Sequence, residues 1–178
     1  MTERPLETSI TLDLEHCSAE LAQAHRELYP ERIPEAIPFS LTLHYPWVPA
    51  AKVTEADLER AREYFAARAP LEFDLVRVTE FPGMVAYAEP QPDAGLRATM
   101  RGLWALYPEL PPYGRPGFEP MPHATLTRYA NPINATFEQA KARVEPLLPV
   151  HCVVTEAILQ EEYELDRMRV LETFHFAR

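Results

Sequence analysis

Apolar and polar residues alternate through Ser9-Ile10-Thr11-Leu12-Asp13-Leu14 and again through Ser40-Leu41-Thr42-Leu43-His44, the two-residue period of a half-buried strand. On the second of these, Leu41 and Leu43 are expected on one face and Ser40, Thr42 and His44 on the other. Between them, Ser18 precedes a helical stretch that reaches Tyr29 and stops at Pro30. Thr54 is placed to cap a helix to Ala69, with Leu58, Ala61 and Phe65 on one stripe and Pro70 as the stop. Leu71 to Thr79 and Met84 to Ala88 predict a strand pair around Phe81-Pro82-Gly83. Asp93 to Tyr107 predicts a helix with Leu96, Met100, Leu103 and Tyr107 on one face. Pro108 to Pro122, dense in proline and glycine, predicts a long loop, and long loops in compact domains are often functional. From His123 to Tyr129 alternation returns, with His123, Thr125 and Thr127 expected on one face and Ala124 and Leu126 on the other. Thr136 and Gln139 form a Thr-x-x-Gln capping box for a helix stopped by Pro146. Cys152 to Leu159 and Met168 to Phe176 predict two closing strands, with Glu161-Glu162 as solvated charge at the hairpin between them. Strands and helices interleave, several strands are joined by short turns, and the pattern is α+β with antiparallel or mixed sheets.

Composition narrows the function. A chain of 178 residues with 47% hydrophobic residues can bury one core, and a single domain over residues 1–178 with two lobes is expected. The net charge of −10 repels a nucleic-acid backbone, so no extended nucleic acid is expected as partner. A small nucleotide or an RNA end in one local pocket remains compatible with that charge. Apolar runs are too short for a membrane span, and the N-terminal MTERPLETS has no apolar core, so a cytoplasmic monomer without membrane contact is expected. Cys17 and Cys152 are far apart in sequence without CxxC spacing and are expected as free thiols in a reducing compartment. With 5 glycines and neither GxGxxG nor GxxxxGK[ST], the glycine-rich nucleotide-binding loops are excluded.

Two strands carry the candidate chemistry. Pro38-Phe39-Ser40-Leu41-Thr42-Leu43 and Met121-Pro122-His123-Ala124-Thr125-Leu126 align at an offset of 83 residues, each between two helical stretches, as expected of a duplicated fold. In a strand, residues i and i+2 share a face, so His123-x-Thr125 aims an imidazole and a hydroxyl into one pocket. An imidazole moves a proton near neutral pH, and a hydroxyl donates to a phosphate oxygen. Two such strands facing one another would flank a single phosphodiester with a proton acceptor and a proton donor. This chemistry needs no metal or other cofactor, and the sequence has no metal-ligand spacing.

His123-Ala124-Thr125-Leu126-Thr127-Arg128 resembles the second His-x-Thr motif of the 2H phosphoesterase superfamily. More narrowly, the chain resembles bacterial proteins of the 2′-5′ RNA ligase family. Leu110-Pro111-Pro112-Tyr113-Gly114 looks like the loop that precedes their second motif, and Tyr45-Pro46-Trp47 like the continuation of their first. The resemblance spans the chain from the first strand to about Phe176. It implies a bilobal fold of duplicated sheet-and-helix units around a central groove, and 2′,3′-cyclic phosphodiesterase or RNA-ligase-like activity on nucleotides or RNA ends. His123, Thr125 and Thr42 carry over as catalytic positions, and Ser40 stands where the family has its first histidine. Ser40, His44, Tyr113 and Arg128 are candidates for substrate binding. His44 is expected on the Ser40 face but ~13 Å further along the strand, out of reach of the vacant position. Arg128 is expected on the face opposite His123, and Tyr113 and Phe118 are candidates for stacking a base. His16, His25, His151 and His175 lie outside any motif. The alternative to a weakened enzyme is a noncatalytic nucleotide- or RNA-end-binding module on the same fold.

Overall fold

The computed structural model describes residues 7–30, 38–164 and 167–178. Eight strands form one antiparallel sheet: β1 (Thr8–Asp13), β2 (Ser40–His44), β3 (Leu71–Phe81), β4 (Val85–Gln91), β5 (Ala124–Arg128), β6 (Val150–Val154), β7 (Glu156–Glu164) and β8 (Arg167–His175). Their order across the sheet is β6-β3-β4-β5-β2-β1-β7-β8. Outward from the centre, β2-β1-β7-β8 on one side matches β5-β4-β3-β6 on the other. The helices are α1 (Ala19–Leu28), α2 (Glu55–Ala66), α3 (Ala94–Leu106) and α4 (Phe137–Val144). The run β1-α1-β2-α2 therefore repeats as β4-α3-β5-α4, and the fold is a bilobal duplication of sheet-and-helix units.

All four helices cover one face of the sheet: α2 packs on β8 and α3 on β2, while α1 packs on β5 and α4 on β3, β4 and β5. Each lobe thus receives one helix from the chain segment of the other. The core lies in this interface, where Ile10, Leu12, Leu41, Phe65, Leu103, Ala124 and Phe174 are almost wholly buried. Each fully buried side chain of Leu or Phe size contributes ~1.5–3 kcal/mol. Equivalent capping boxes start α2 and α4. Asp57 N–H donates to Thr54 Oγ1 (3.2 Å) and Thr54 N–H to Asp57 Oδ2 (2.9 Å). Gln139 N–H donates to Thr136 Oγ1 (3.3 Å) and Thr136 N–H to Gln139 Oε1 (2.9 Å). Among the described residues no helix is long and apolar enough to cross a membrane.

Two expectations are corrected. The run expected as one strand from Cys152 to Leu159 is two, β6 and β7, broken at Thr155, whose carbonyl accepts from Phe176 N–H (2.9 Å). The break carries the chain from β3 in one lobe to β1 in the other. Glu161 is not turn charge: it lies within β7 opposite Arg169, is 4% exposed, and is ion-paired to that arginine.

Candidate functional site

The two motif strands are neighbours at the centre of the sheet, antiparallel, with Leu41 opposite Ala124. Both residues are buried on the helix side. Extending this register one residue each way places Ser40 opposite Thr125 and Thr42 opposite His123. All four side chains therefore share the face that the helices leave open. With strands about 4.8 Å apart and a rise of about 3.3 Å per residue, positions 40 and 123 sit diagonally, their Cα atoms ~8 Å apart. That diagonal spans a tetrahedral phosphate, with Thr42 and Thr125 at the other two corners. The three hydroxyls, of Ser40, Thr42 and Thr125, make no hydrogen bond among the described residues.

His123 stands just before β5, and its environment sets its chemistry. Its Nδ1 is 2.6 Å from the Met121 carbonyl. A carbonyl can only accept, so Nδ1 carries the hydrogen and Nε2 presents a lone pair. Phe81 and Tyr87 meet the ring edge-on, with centroids at 5.0 and 5.5 Å. Burial pushes the imidazole below its usual pKa, and the Met121 bond offsets this in part. The result is a half-buried, neutral imidazole of fixed tautomer, the state a general base requires. Phe81→Ala, which opens this cage to water, is expected to raise the His123 pKa toward the ordinary histidine value. An NMR pH titration checks this, and an unchanged or lower pKa would show that the cage does not desolvate the ring.

A β-bulge in each motif strand decides where the remaining candidates point. On β2, Thr42 pairs with Thr11 but His44 pairs with Ile10, so one extra residue, Leu43, is accommodated. On β5, Thr125 pairs with Tyr87 but Thr127 pairs with Ala86, so Leu126 is the extra residue. The bulges stand at equivalent places in the repeat. Each turns the following residue, His44 or Thr127, toward the core, and the second also turns Arg128 back to the open face.

Hence His44 is not on the Ser40 face, as strict alternation predicted. It is 1% exposed against Tyr107, and Nε2–H donates to the Leu110 carbonyl (2.8 Å). Burial lowers its pKa. It serves as a neutral post for the long loop and does not touch the open groove. Thr127 likewise leaves the expected face; it is wholly buried and donates to the Ala135 carbonyl (3.0 Å). Arg128 moves the opposite way: it lies across from Val85 on the open face with Thr125. Its guanidinium has no ion pair among the described residues, in a chain of net charge −10. Trp104 secures the first bulge by donating Nε1–H to the Leu43 carbonyl (2.8 Å).

The loop from Pro108 to Pro122 hangs from the end of β2. Leu110 is held by His44, and Tyr113 N–H donates to the Tyr45 carbonyl (2.6 Å). The Tyr113 ring is half-buried between Tyr45 (6.1 Å) and Phe118 (5.0 Å), and burial raises its pKa. Arg97 contacts the Pro120 carbonyl and pins the approach to His123.

Three residues of the open face escaped the sequence reading. Tyr87 and Phe81 were legible in principle, because Ala86 and Ala88 are the buried positions of β4 and alternation puts Tyr87 opposite them. Thr11 had no such signal. It pairs with Thr42, is 1% exposed, and its hydroxyl has no partner.

The family model described as the 2′-5′ RNA ligase superfamily matches residues 13–164. Among solved structures, Escherichia coli LigT complexed with 3′-AMP is similar at TM-score 0.60 and 17% identity, over 98% of this chain and 100% of that one. TT0787 of Thermus thermophilus is similar at TM-score 0.60 and 19% identity, over 96% and 97%. A chain solved as a phosphoesterase gives TM-score 0.60 at 17% identity, over 98% and 100%. At these identities the likeness is one of fold. No curated protein sequence matches the chain.

Proposed function

The chain belongs to the 2′-5′ RNA ligase superfamily, and we propose that it acts on 2′,3′-cyclic phosphate or 2′-5′ linked ends of small nucleotides or RNA, as a phosphodiesterase with one imidazole in place of two. The observation that carries this reading is the open face itself. Ser40, Thr42, His123 and Thr125 project from adjacent strands around one phosphate-sized space, and His123 presents an unprotonated Nε2. The LigT structure that shares this fold holds 3′-AMP, a ligand of the same chemical class.

In hydrolysis of a cyclic phosphate, Thr42 and Thr125 donate to the nonbridging oxygens and Arg128 balances their charge. His123 Nε2 takes a proton from water as the new P–O bond forms. The P–O bond to one ribose oxygen breaks, and that oxygen takes its proton from solvent, because Ser40 is too weak an acid to supply it at neutral pH. The products are a phosphomonoester and a free ribose hydroxyl.

Two assays on the purified chain test this. Turnover of 2′,3′-cyclic nucleotides should be measurable, with kcat/KM rising with pH through a single pKa below 6.5 and then flat. The sign follows from the base: protonated His123 is inactive, and burial has moved its pKa down. A bell-shaped profile would mean that a second titrating group already acts. Binding of the cyclic nucleotide without turnover would favour the noncatalytic reading, in which Ser40 makes the groove a phosphate receptor. That alternative draws on the placement of His44, which faces the core and leaves no second imidazole beside Ser40.

A further inference from the structure

The fold brings together the two cysteines that the sequence keeps 135 positions apart. Cys17 ends a 3₁₀ turn, Glu15–Cys17, between β1 and α1, and Cys152 lies within β6. The turn docks on β6 in the other lobe, where His16 Nε2–H donates to the Val153 carbonyl (3.0 Å). Because the residues next to each cysteine, His16 and Val153, are bonded to one another, Cys17 is brought up against Cys152, and each thiol's proton affinity responds to the other. Both are free; Cys17 is half-buried and Cys152 fully buried. His16 Nε2 stands 3.8 Å from Cys17 Sγ.

We propose that Cys17, Cys152 and His16 form a peroxide-reactive site, in which Cys17 is the attacking thiol and Cys152 resolves it to an intrachain disulfide. The two thiols are electrostatically unequal. A hydrogen bond from Cys152 holds the Cys17 thiol below its ordinary pKa, with help from His16 and His151 and against burial and Asp13. Cys152 is pushed well up by that same bond, by burial and by Asp74. The more readily ionised thiol beside the more firmly protonated one is the division of labour of an attacking and a resolving cysteine.

The oxidation balances with hydrogen peroxide as oxidant. Cys17 thiolate attacks one peroxide oxygen; the S–O bond forms, the O–O bond breaks, and hydroxide leaves to be protonated to water. Cys152 then loses its proton and attacks the Cys17 sulfenic sulfur; the S–S bond forms, the S–O bond breaks, and the second hydroxide leaves as water. Two thiols lose two electrons, and the peroxide becomes two waters. The bond would tie the β1–α1 junction of one lobe to β6 of the other. The same turn holds the approach to Ser40, because Glu15 Oε1 accepts from Phe39 N–H (2.9 Å).

The test uses the full reduced chain exposed to hydrogen peroxide, with thiol titration and nonreducing peptide mass mapping. Both thiols should disappear together, the chain should lose about 2 Da, and one linked peptide should join Cys17 to Cys152. In Cys152→Ser, a sulfenic acid should be trapped on Cys17 by dimedone. His16→Gln in that background should slow its formation about threefold or more. Thiols that oxidise without a linked peptide would overturn the pairing, a result the wild-type chain gives whether or not any variant folds. Cys17 in the otherwise wild-type chain reacting with peroxide no faster than N-acetylcysteine, or at a rate indifferent to His16→Gln, would overturn its assignment as the activated thiol.

Discussion

Replacing His123 by Ala is expected to lower kcat/KM on a 2′,3′-cyclic nucleotide by ~10²–10⁴, the usual span for removal of a general acid or base. The upper part of that range is favoured by the geometry, because among the described residues no other imidazole projects from the two central strands beside Ser40, Thr42 and Thr125. His44 is turned into the core with Nε2–H committed to Leu110. His16 and His151 lie with Cys17 and β6, away from the central strands. The loss should fall on kcat more than on binding, since Thr42, Thr125 and Arg128 remain to hold the phosphate. The variant removes a ring packed against Phe81 and Tyr87, so a thermal melt must accompany the kinetics to show that the chain is folded at the assay temperature. A folded His123→Ala chain retaining a third or more of wild-type turnover would remove His123 from the chemistry.

Much of the fold was legible because local signals agreed with one another. Alternation marked β1, β2 and β5, proline stops bounded the helices, and Thr136 with Gln139 announced a cap that forms as expected. The repeat between the two motif strands was visible in the sequence, and it becomes the centre of a duplicated sheet. What was not legible depended on register, a long-range property. A one-residue bulge reverses every later side chain in a strand, and nothing in Thr42-Leu43-His44-Tyr45 announces one. Both bulges follow the motif threonine, so alternation erred in the same way twice: it put His44 and Thr127 on the groove face, and Arg128 on the face opposite His123. The split between β6 and β7 was hidden for a related reason. Val150 to Gln160 is β-prone throughout with no glycine or proline to mark the crossing, and only partners in different lobes divide it.

Ser40→His is expected to raise hydrolysis of a 2′,3′-cyclic nucleotide by ~10-fold or more, short of the full general acid effect because the site was not tuned for the new ring. The backbone already places position 40 diagonally across from His123, on the same face and opposite Thr125. The surroundings of the two positions differ in a useful way. His123 sits against two aromatic rings that keep it neutral, as a base must be. Position 40 lies opposite Asp13 on β1, and a carboxylate there favours the protonated form of an introduced ring, as an acid must be. Environments that push two groups apart in pKa assign the roles. The introduced imidazolium would then protonate the leaving ribose oxygen while His123 takes the proton from water. The pH profile should change with the rate, from a single rise and plateau to a bell whose falling limb reports the new acid. Both the gain and the bell should vanish when His123→Ala is added. Wild-type activity equal to or above that of Ser40→His would mean that some group already protonates the leaving oxygen. No turnover in either, with the cyclic nucleotide still bound, would make the groove a receptor in which Ser40 serves as a phosphate contact.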